Sequence, residues 1–315
     1  MEKIKAVEYH KKGNPDKLVY SDIEKPQPNN DEVLIKVFAV SVNAADYRSM
    51  HLGIIPKKKI FGADIAGKVE SVGKNIRQFK PGDEVMGDLA SVGFGGFAQY
   101  TVAPPIVLAL KPSMLSFEEA AAIPLAAITA LQALRDKGNI QKGQKVLIVG
   151  SSGGVGPYAV QLAHYFEAEV TAVCSTRNIE QTLSLGAQII IDYTKEDFTK
   201  SNKLYDLIIA INGNYPLSAY KRLLNKNGIY VMVGGAMTQI IKSLLLGKLM
   251  SLGSKKMLTL TAKSNQKDLE LIAKLAQEGK IWPVIDRRYS LDQTPEAMRY
   301  AAEGHARGKV VIKVE

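Results

Sequence analysis

Across 315 residues the chain has one cysteine, Cys174, one tryptophan and four histidines. A lone cysteine excludes any disulfide within the chain and any cysteine-rich zinc site, and it fits a reducing compartment. His10, His51, His164 and His305 show neither metal-ligand spacing nor a partner pattern, and are read as non-catalytic. No run of about eighteen uncharged apolar residues occurs, so no membrane-spanning helix is expected. The opening MEKIKAVEY lacks the apolar core of a signal peptide, so a cytoplasmic location is expected. The lysines are scattered and no block rich in arginine and aromatics appears, so nucleic-acid binding is not expected. Internal repeats and low-complexity tracts are also missing. What remains is 46% apolar and 23% charged residues, the composition of a globular protein. Lys plus Arg number 41 against 31 for Asp plus Glu, giving +10, which suits anionic ligands or an acidic membrane surface. The length predicts two domains.

One stretch, residues 145–177, organises the rest. Lys145 to Val149 is a short apolar, β-branched run that predicts a buried parallel strand. Gly150, Gly153 and Gly156 follow at G-x-x-G-x-x-G spacing within GSSGGVG, which also contains Ser152, Gly154 and Val155. Tyr158 to Phe166 reads as a helix with Ala159, Leu162, Ala163 and Phe166 on one face, and Val170 to Cys174 as a second strand. Strand, glycine turn, helix and strand in this order predict a dinucleotide-binding unit, with the pyrophosphate at the helix N-terminus. An NAD site wants an acidic side chain at the end of the second strand. The chain offers Ser175, Thr176 and Arg177 there instead, groups that suit a 2′-phosphate, so NADPH is expected.

Residues 1–122 read mainly as β, with runs at Ile4 to Tyr9, Leu18 to Ile23, Glu32 to Val42, Ala63 to Val72, Glu84 to Met86 and Ala98 to Val102 broken by turns. Short strands and frequent turns predict a barrel-like domain. Glu118 to Asp136 reads as one alanine-rich helix with Pro124 in its path. Strands at Ala187 to Asp192, Leu204 to Ile211, Gly228 to Val233 and Met257 to Thr261 continue the nucleotide unit, with helices at Ile179 to Leu185, Pro216 to Leu224 and Ile240 to Leu252. Six strands with crossovers predict a doubly wound parallel sheet, and place Asn212 and Gly234, just past strand ends, near the cofactor. A helix at Gln266 to Glu278, the segment Pro283 to Tyr289, a helix at Pro295 to Glu303 and a strand at Lys309 to Val314 complete the chain.

The stretches VSVNAADY (40–47), FGADIAGKVESVG (61–73), FKPGDEV (79–85), AAIPLAAITAL (121–131), GSSGGVG (150–156), LGAQIIIDY (185–193) and GHARGKVVI (304–312) span nearly the whole chain. Together they resemble the medium-chain dehydrogenase/reductase superfamily, in its zinc-free quinone oxidoreductase, zeta-crystallin-like branch, near the chloroplast-envelope quinone oxidoreductase homologues. The resemblance implies an α/β fold: a GroES-like β-barrel catalytic domain over 1–122 and 281–315, and a Rossmann domain over 123–280. Zinc members of the superfamily place Cys, His and Cys where this chain has Asn43, Ala63 and Leu125, and carry a four-Cys lobe absent here. Zinc needs several close N, S or O ligands, so no zinc is expected. Without a Lewis acid a simple ketone is a difficult hydride acceptor, whereas a quinone or enone spreads the developing charge. The expected reaction is NADPH-dependent reduction of a quinone or an activated C=C bond. The resemblance further implies a homodimer joined by sheet edges.

Asn43, in the place of a zinc ligand, is expected to face substrate and to donate to its carbonyl oxygen, or to be a structural amide in a turn. Tyr47 is expected to donate to that oxygen or relay a proton, or only to line the pocket. Asp46 completes the catalytic candidates, although a helix-start or buried ion-pair role is favoured for it. The resemblance implies Thr129 beside the nicotinamide, Tyr193 near the adenosine phosphate, and Arg307, Gly308 and Lys309 reaching back to the cofactor. Between residues 240 and 252, Ile240, Ile241, Leu244, Leu245, Leu249 and Leu252 share a helical face with Lys242 and Lys248 interleaved and Lys255 and Lys256 following. Such a helix covers a sheet or substrate cleft, or lies peripherally on an anionic membrane. Two other functions stay open at this point: a non-enzymatic NADPH-binding protein with an RNA, membrane or protein partner, and a zinc alcohol dehydrogenase.

Overall fold

In a computed structural model, which describes residues 2–314, the chain starts with an antiparallel ribbon. Strand β1 (Lys3–Tyr9) pairs with β2 (Leu18–Glu24) from Lys3 opposite Glu24 to Tyr9 opposite Leu18. β3 (Val33–Val42) is the spine of the first sheet, because its run VLIKVFAVSV is buried along nearly all its length. Helix α1 (Ala44–His51) follows it directly, then β4 (Asp64–Val72), β5 (Glu84–Asp88), β6 (Tyr100–Ala103) and β7 (Leu108–Leu110). The expected helix over 118–136 is divided. α2 (Phe117–Ala121) is capped by Ser116, whose Oγ accepts from Glu119 N at 3.2 Å while the Glu119 carboxylate accepts from Ser116 N at 2.8 Å. Pro124 then opens α3 (Pro124–Gln132), since a proline is tolerated in a first turn and not inside a helix.

The second half supplies β8 (Lys145–Val149), α4 (Gly156–Tyr165), β9 (Glu169–Cys174), α5 (Ile179–Ser184), β10 (Ile189–Asp192), β11 (Tyr205–Ala210), α6 (Leu217–Arg222), β12 (Leu224–Met232), α7 (Met237–Met250) and β13 (Lys256–Thr259). Among the described residues these strands form a parallel sheet in the order β10-β9-β8-β11-β12-β13. The order reverses between β8 and β11, so the loops after those strands border a crevice in which doubly wound sheets take their ligands. One face is filled by Leu147, Val149, Ile208, Tyr220, Tyr230 and Met257, all buried.

The chain closes with α8 (Gln266–Gln277), β14 (Ile285–Ser290), α9 (Thr294–Ala302) and β15 (Lys309–Lys313). β15 pairs parallel with β14 and antiparallel with β3, giving a mostly antiparallel sheet ordered β14-β15-β3-β4-β5-β7 with β6 also on β3. Two compact units result: Met1–Ile128 with Lys263–Glu315, and Thr129–Ala262. The sequence reading placed the return at residue 281. The structure places it earlier because α8 packs on β7, and Ser113 N donates to Gln277 Oε1 at 3.0 Å.

Candidate functional site

In the second unit the glycine turn lies between β8 and α4. Gly150 has φ of 85°, a left-handed conformation, and a Cβ there would meet Asn212 at 3.0 Å. A Cβ on Gly156 would sit 2.4 Å from the carbonyl oxygen of Gly150, so this residue sets the close packing of helix on turn. At Gly153 a Cβ would meet nothing within 4 Å. The middle of the turn therefore opens onto free space in front of α4. Val155 precedes that helix with no side-chain cap, and Pro157 brings no N–H to its first turn, so the backbone N–H groups that can meet a ligand are those of the glycine turn up to Gly156. Ser151 is spent on structure, its Oγ donating to Val173 O at 3.1 Å, whereas Ser152, Gly154 and Val155 are half-buried at the rim. Asn212 and Gly234 lie just past β11 and β12, and a Cβ on Gly234 would meet Ile211 O at 2.7 Å. The turn, the uncapped helix and the flanking strand ends fit a dinucleotide pyrophosphate.

The end of β9 departs from expectation in one respect. It carries no carboxylate itself, but β10 brings one alongside, with Asp192 directly opposite Cys174. Thr176 donates its hydroxyl to Asp192 Oδ2, and Thr194 gives its N–H at 3.0 Å and its hydroxyl at 2.7 Å to Oδ1. These hydroxyls hold the Asp192 carboxyl down to about 2. Thr176, expected to bind a 2′-phosphate, has therefore committed its proton to Asp192. Asn178, absent from the sequence-based candidates, organises the same corner. Its Nδ2 donates to Ser152 Oγ at 2.9 Å and to Ser175 Oγ at 3.0 Å, tying the glycine turn to the β9 loop. Arg177 is exposed beside them, and Tyr193, 53% exposed, follows β10 with its N–H donating to Cys174 O. Thr129 is half-buried in α3 at the start of this unit.

In the first unit the catalytic candidates fall into a buried polar cluster. Asp64 is fully buried on β4 and accepts from Ser41 Oγ (3.0 Å), Asn43 Nδ2 (2.9 Å) and Leu125 N (2.8 Å). Lys309, 3% exposed, donates to Asn43 Oδ1 at 2.5 Å and lies 3.3 Å from Asp64 Oδ2. Asn43 Nδ2 also donates to Ser41 O at 3.1 Å. Both amide hydrogens of Asn43 are thus used within the protein, which matches the structural-amide alternative and corrects the expectation that they address substrate. Lys309 is corrected likewise: its ammonium is held inside this unit rather than extended to a cofactor. Asp46 takes the helix-start role favoured for it over catalysis. Its two oxygens accept from Asn43 N (2.8 Å) and Gly62 N (3.0 Å), so it fastens the start of α1 to the β4 approach. Burial pushes its carboxyl up to about 7 against those backbone hydrogen bonds.

Tyr47 differs from these three. It is half-buried against the apolar core, and its hydroxyl has no hydrogen-bond partner among the described residues. Burial raises its pKa, so it remains a proton donor. At the C-terminus Gly308 is dictated by packing, since a Cβ would lie 2.3 Å from Val284 O, and Arg307 N donates to Asp286 at 3.1 Å. Asp64, Asp88 and Ser264 escaped the sequence reading. Asp88 sits opposite Asp64 in the β4–β5 pairing and accepts from Ser264. A lone aspartate within the apolar run FGADIAGKV was the available signal for Asp64.

Zinc, which part of this fold family carries, does not fit the donors present. Asn43 is saturated by protein hydrogen bonds, and Ala63 and Leu125 offer no ligand atom. Among the described residues no three His, Cys, Asp or Glu side chains are grouped to hold a metal ion.

A barrel-like first unit closed by the C-terminal strand, with an inserted parallel sheet carrying the glycine turn, defines a medium-chain dehydrogenase/reductase. Family profiles agree: the alcohol dehydrogenase GroES-like domain matches residues 29–113, and zinc-binding dehydrogenase matches 185–312. The chain is 35% identical to the chloroplastic quinone-oxidoreductase QR1 of Triphysaria versicolor, covering 94% of each. It is 31% identical to the chloroplastic NADPH-dependent alkenal/one oxidoreductase of Arabidopsis thaliana, covering 98% of this chain and 79% of that one. The quinone oxidoreductase structure from Coxiella burnetii superposes with a TM-score of 0.89 at 30% identity over the full length of both. The chain belongs to the medium-chain dehydrogenase/reductase superfamily, among its quinone oxidoreductase homologues.

Proposed function

We propose that the protein is an NADPH-dependent reductase that delivers hydride to a quinone or to the activated C=C bond of an α,β-unsaturated carbonyl, without zinc. The observation that carries this reading is the likeness, along nearly the whole chain, to quinone and alkenal/one oxidoreductases, together with an open glycine turn that fits the cofactor. When bound, NADPH supplies the hydride. The backbone N–H groups of the Ser152–Gly156 turn hold the pyrophosphate, and Ser175 with Arg177 bind the 2′-phosphate. Asn178 positions Ser152 and Ser175 for this. Tyr47 donates a hydrogen bond to the acceptor oxygen as negative charge develops on it, which suffices for a conjugated acceptor whose charge is delocalised. Asn43, Asp46, Asp64 and Lys309 keep α1, and hence Tyr47, in place. A homodimer and a cytoplasmic location belong to the same reading. The test is oxidation of NADPH, against NADH, with benzoquinone, phenanthrenequinone and a medium-chain enone, with and without EDTA. EDTA-insensitive turnover that prefers NADPH is expected. Stoichiometric zinc in active protein, or activity lost to EDTA, would overturn the zinc-free chemistry.

A further inference from the structure

Helix α7 turns few apolar side chains to the sheet. Ile240 and Met250 pack on its core, but between them Ser243 is 2% exposed and hydrogen-bonded to Thr259 at 2.8 Å, and a Cβ on Gly247 would stand 2.9 Å from Met257 O. Ser251, one turn further on, accepts from Met257 N at 2.8 Å. The opposite side carries Ile241, Leu244, Leu245 and Leu249, and Leu252 continues it just beyond the helix. Leu245, Leu249 and Leu252 are 73%, 65% and 71% exposed. A contiguous row of this kind is not the scatter of single apolar residues normal on a surface.

Charge selects what covers the row. Between residues 207 and 262 the chain has no Asp or Glu, while Lys242 and Lys248 fall within α7 and Lys255 and Lys256 directly after it. A second copy of this chain laid on the same face would set lysines against lysines. An anionic lipid surface meets both needs, since acyl chains take the leucines and phosphates take the ammonium groups. Among the described residues no helix is long and apolar enough to cross a membrane, so the contact considered is one on its surface. We propose that α7 and the turn after it dock the protein peripherally on an anionic membrane, with Leu244, Leu245, Leu249 and Leu252 entering the interface and Lys242 and Lys256 beside the headgroup phosphates.

Flotation with vesicles of phosphatidylglycerol in phosphatidylcholine, against phosphatidylcholine alone, tests this without reference to activity. Binding to the anionic vesicles at low salt, weakening as salt is raised, is expected. The pair Leu245→Gln and Leu249→Gln, both exposed and so neutral to folding, lowers the partition coefficient at least about tenfold. Lys242→Glu with Lys256→Glu lowers it similarly and serves if the leucine pair fails to fold. Absence of binding at low salt, or binding unchanged by both pairs, overturns the proposal. It also fails if light scattering shows the leucine pair turning a dimer into a monomer, because a second copy then covers the face.

Discussion

At the scale of single residues, the strongest constraint is the charge pair inside the first unit. Lys309 and Asp64 are 3% and 0% exposed, and each has further hydrogen-bond partners to offset its lost hydration. Breaking one partner of such a pair is costly because the other is left charged and dry. Lys309→Met is therefore expected to destabilise the protein by about 3–5 kcal/mol in urea unfolding. Tyr47 makes the opposite kind of prediction, because its hydroxyl holds nothing together. Tyr47→Phe should leave unfolding and NADPH affinity unchanged while lowering kcat by about 10²-fold, within the range for a positioned proton donor. Arg177 is exposed at the corner where Asn178 ties Ser175 to the glycine turn. Arg177→Ala should raise KM for NADPH about tenfold, as loss of a charge-assisted phosphate contact does, with little change for NADH.

At the scale of elements, the turn between β8 and α4 separates structural from ligand-facing glycines. Gly156→Ala drives a methyl into the Gly150 carbonyl and the Ser151 backbone, each 2.4 Å away, and should cost about 1–3 kcal/mol of stability. Gly153→Ala meets no protein atom, so its melting temperature should match the wild type while calorimetry shows weakened NADPH binding. The opposite pattern would mean that the open space is not where the cofactor lies. This turn was legible in the sequence because spacing, strand and helix all fall within one local segment. Most strands of both sheets were legible for the same reason, being β-branched apolar runs between turns, whereas β7 (LAL) is too short and β14 (IDRRYS) too polar to show such a run. Helix α1 was not, since AADYRSMH is polar and buries little besides Asp46 and Met50. Asp192 was missed because it reaches Thr176 through the pairing of β10 on β9, a register that only the folded sheet specifies. The Asn43–Lys309 bond joins residues 266 positions apart, beyond any local pattern.

At the scale of the whole molecule, buried carboxyls and hydroxyl-bound carboxylates pull the pH dependence of stability in opposite directions in different windows. Burial lifts Asp46 to about 7 from an unfolded value of 3.8, and burial with the nearby Asp64 lifts Asp88 above the usual carboxylate range. Between those values the folded protein holds protons that the unfolded chain has released. Stability therefore falls as pH rises from about 4 to about 7, by at most about 1.4 kcal/mol per pH unit for each such group, and levels off above. Asp192 acts the other way: its carboxyl is lowered to about 2, so its contribution is complete above 3.8 and is lost as pH falls toward 2. The two windows do not overlap. Denaturant midpoints should accordingly be higher near pH 5 than near pH 8, and should drop steeply only on strong acidification. Asp46→Asn removes one titrating group, so its stability between pH 5 and 7 should decline less steeply than that of the wild type, whatever its absolute value. Equal slopes in the two proteins would show that Asp46 is ionised throughout, held so by its two backbone N–H donors.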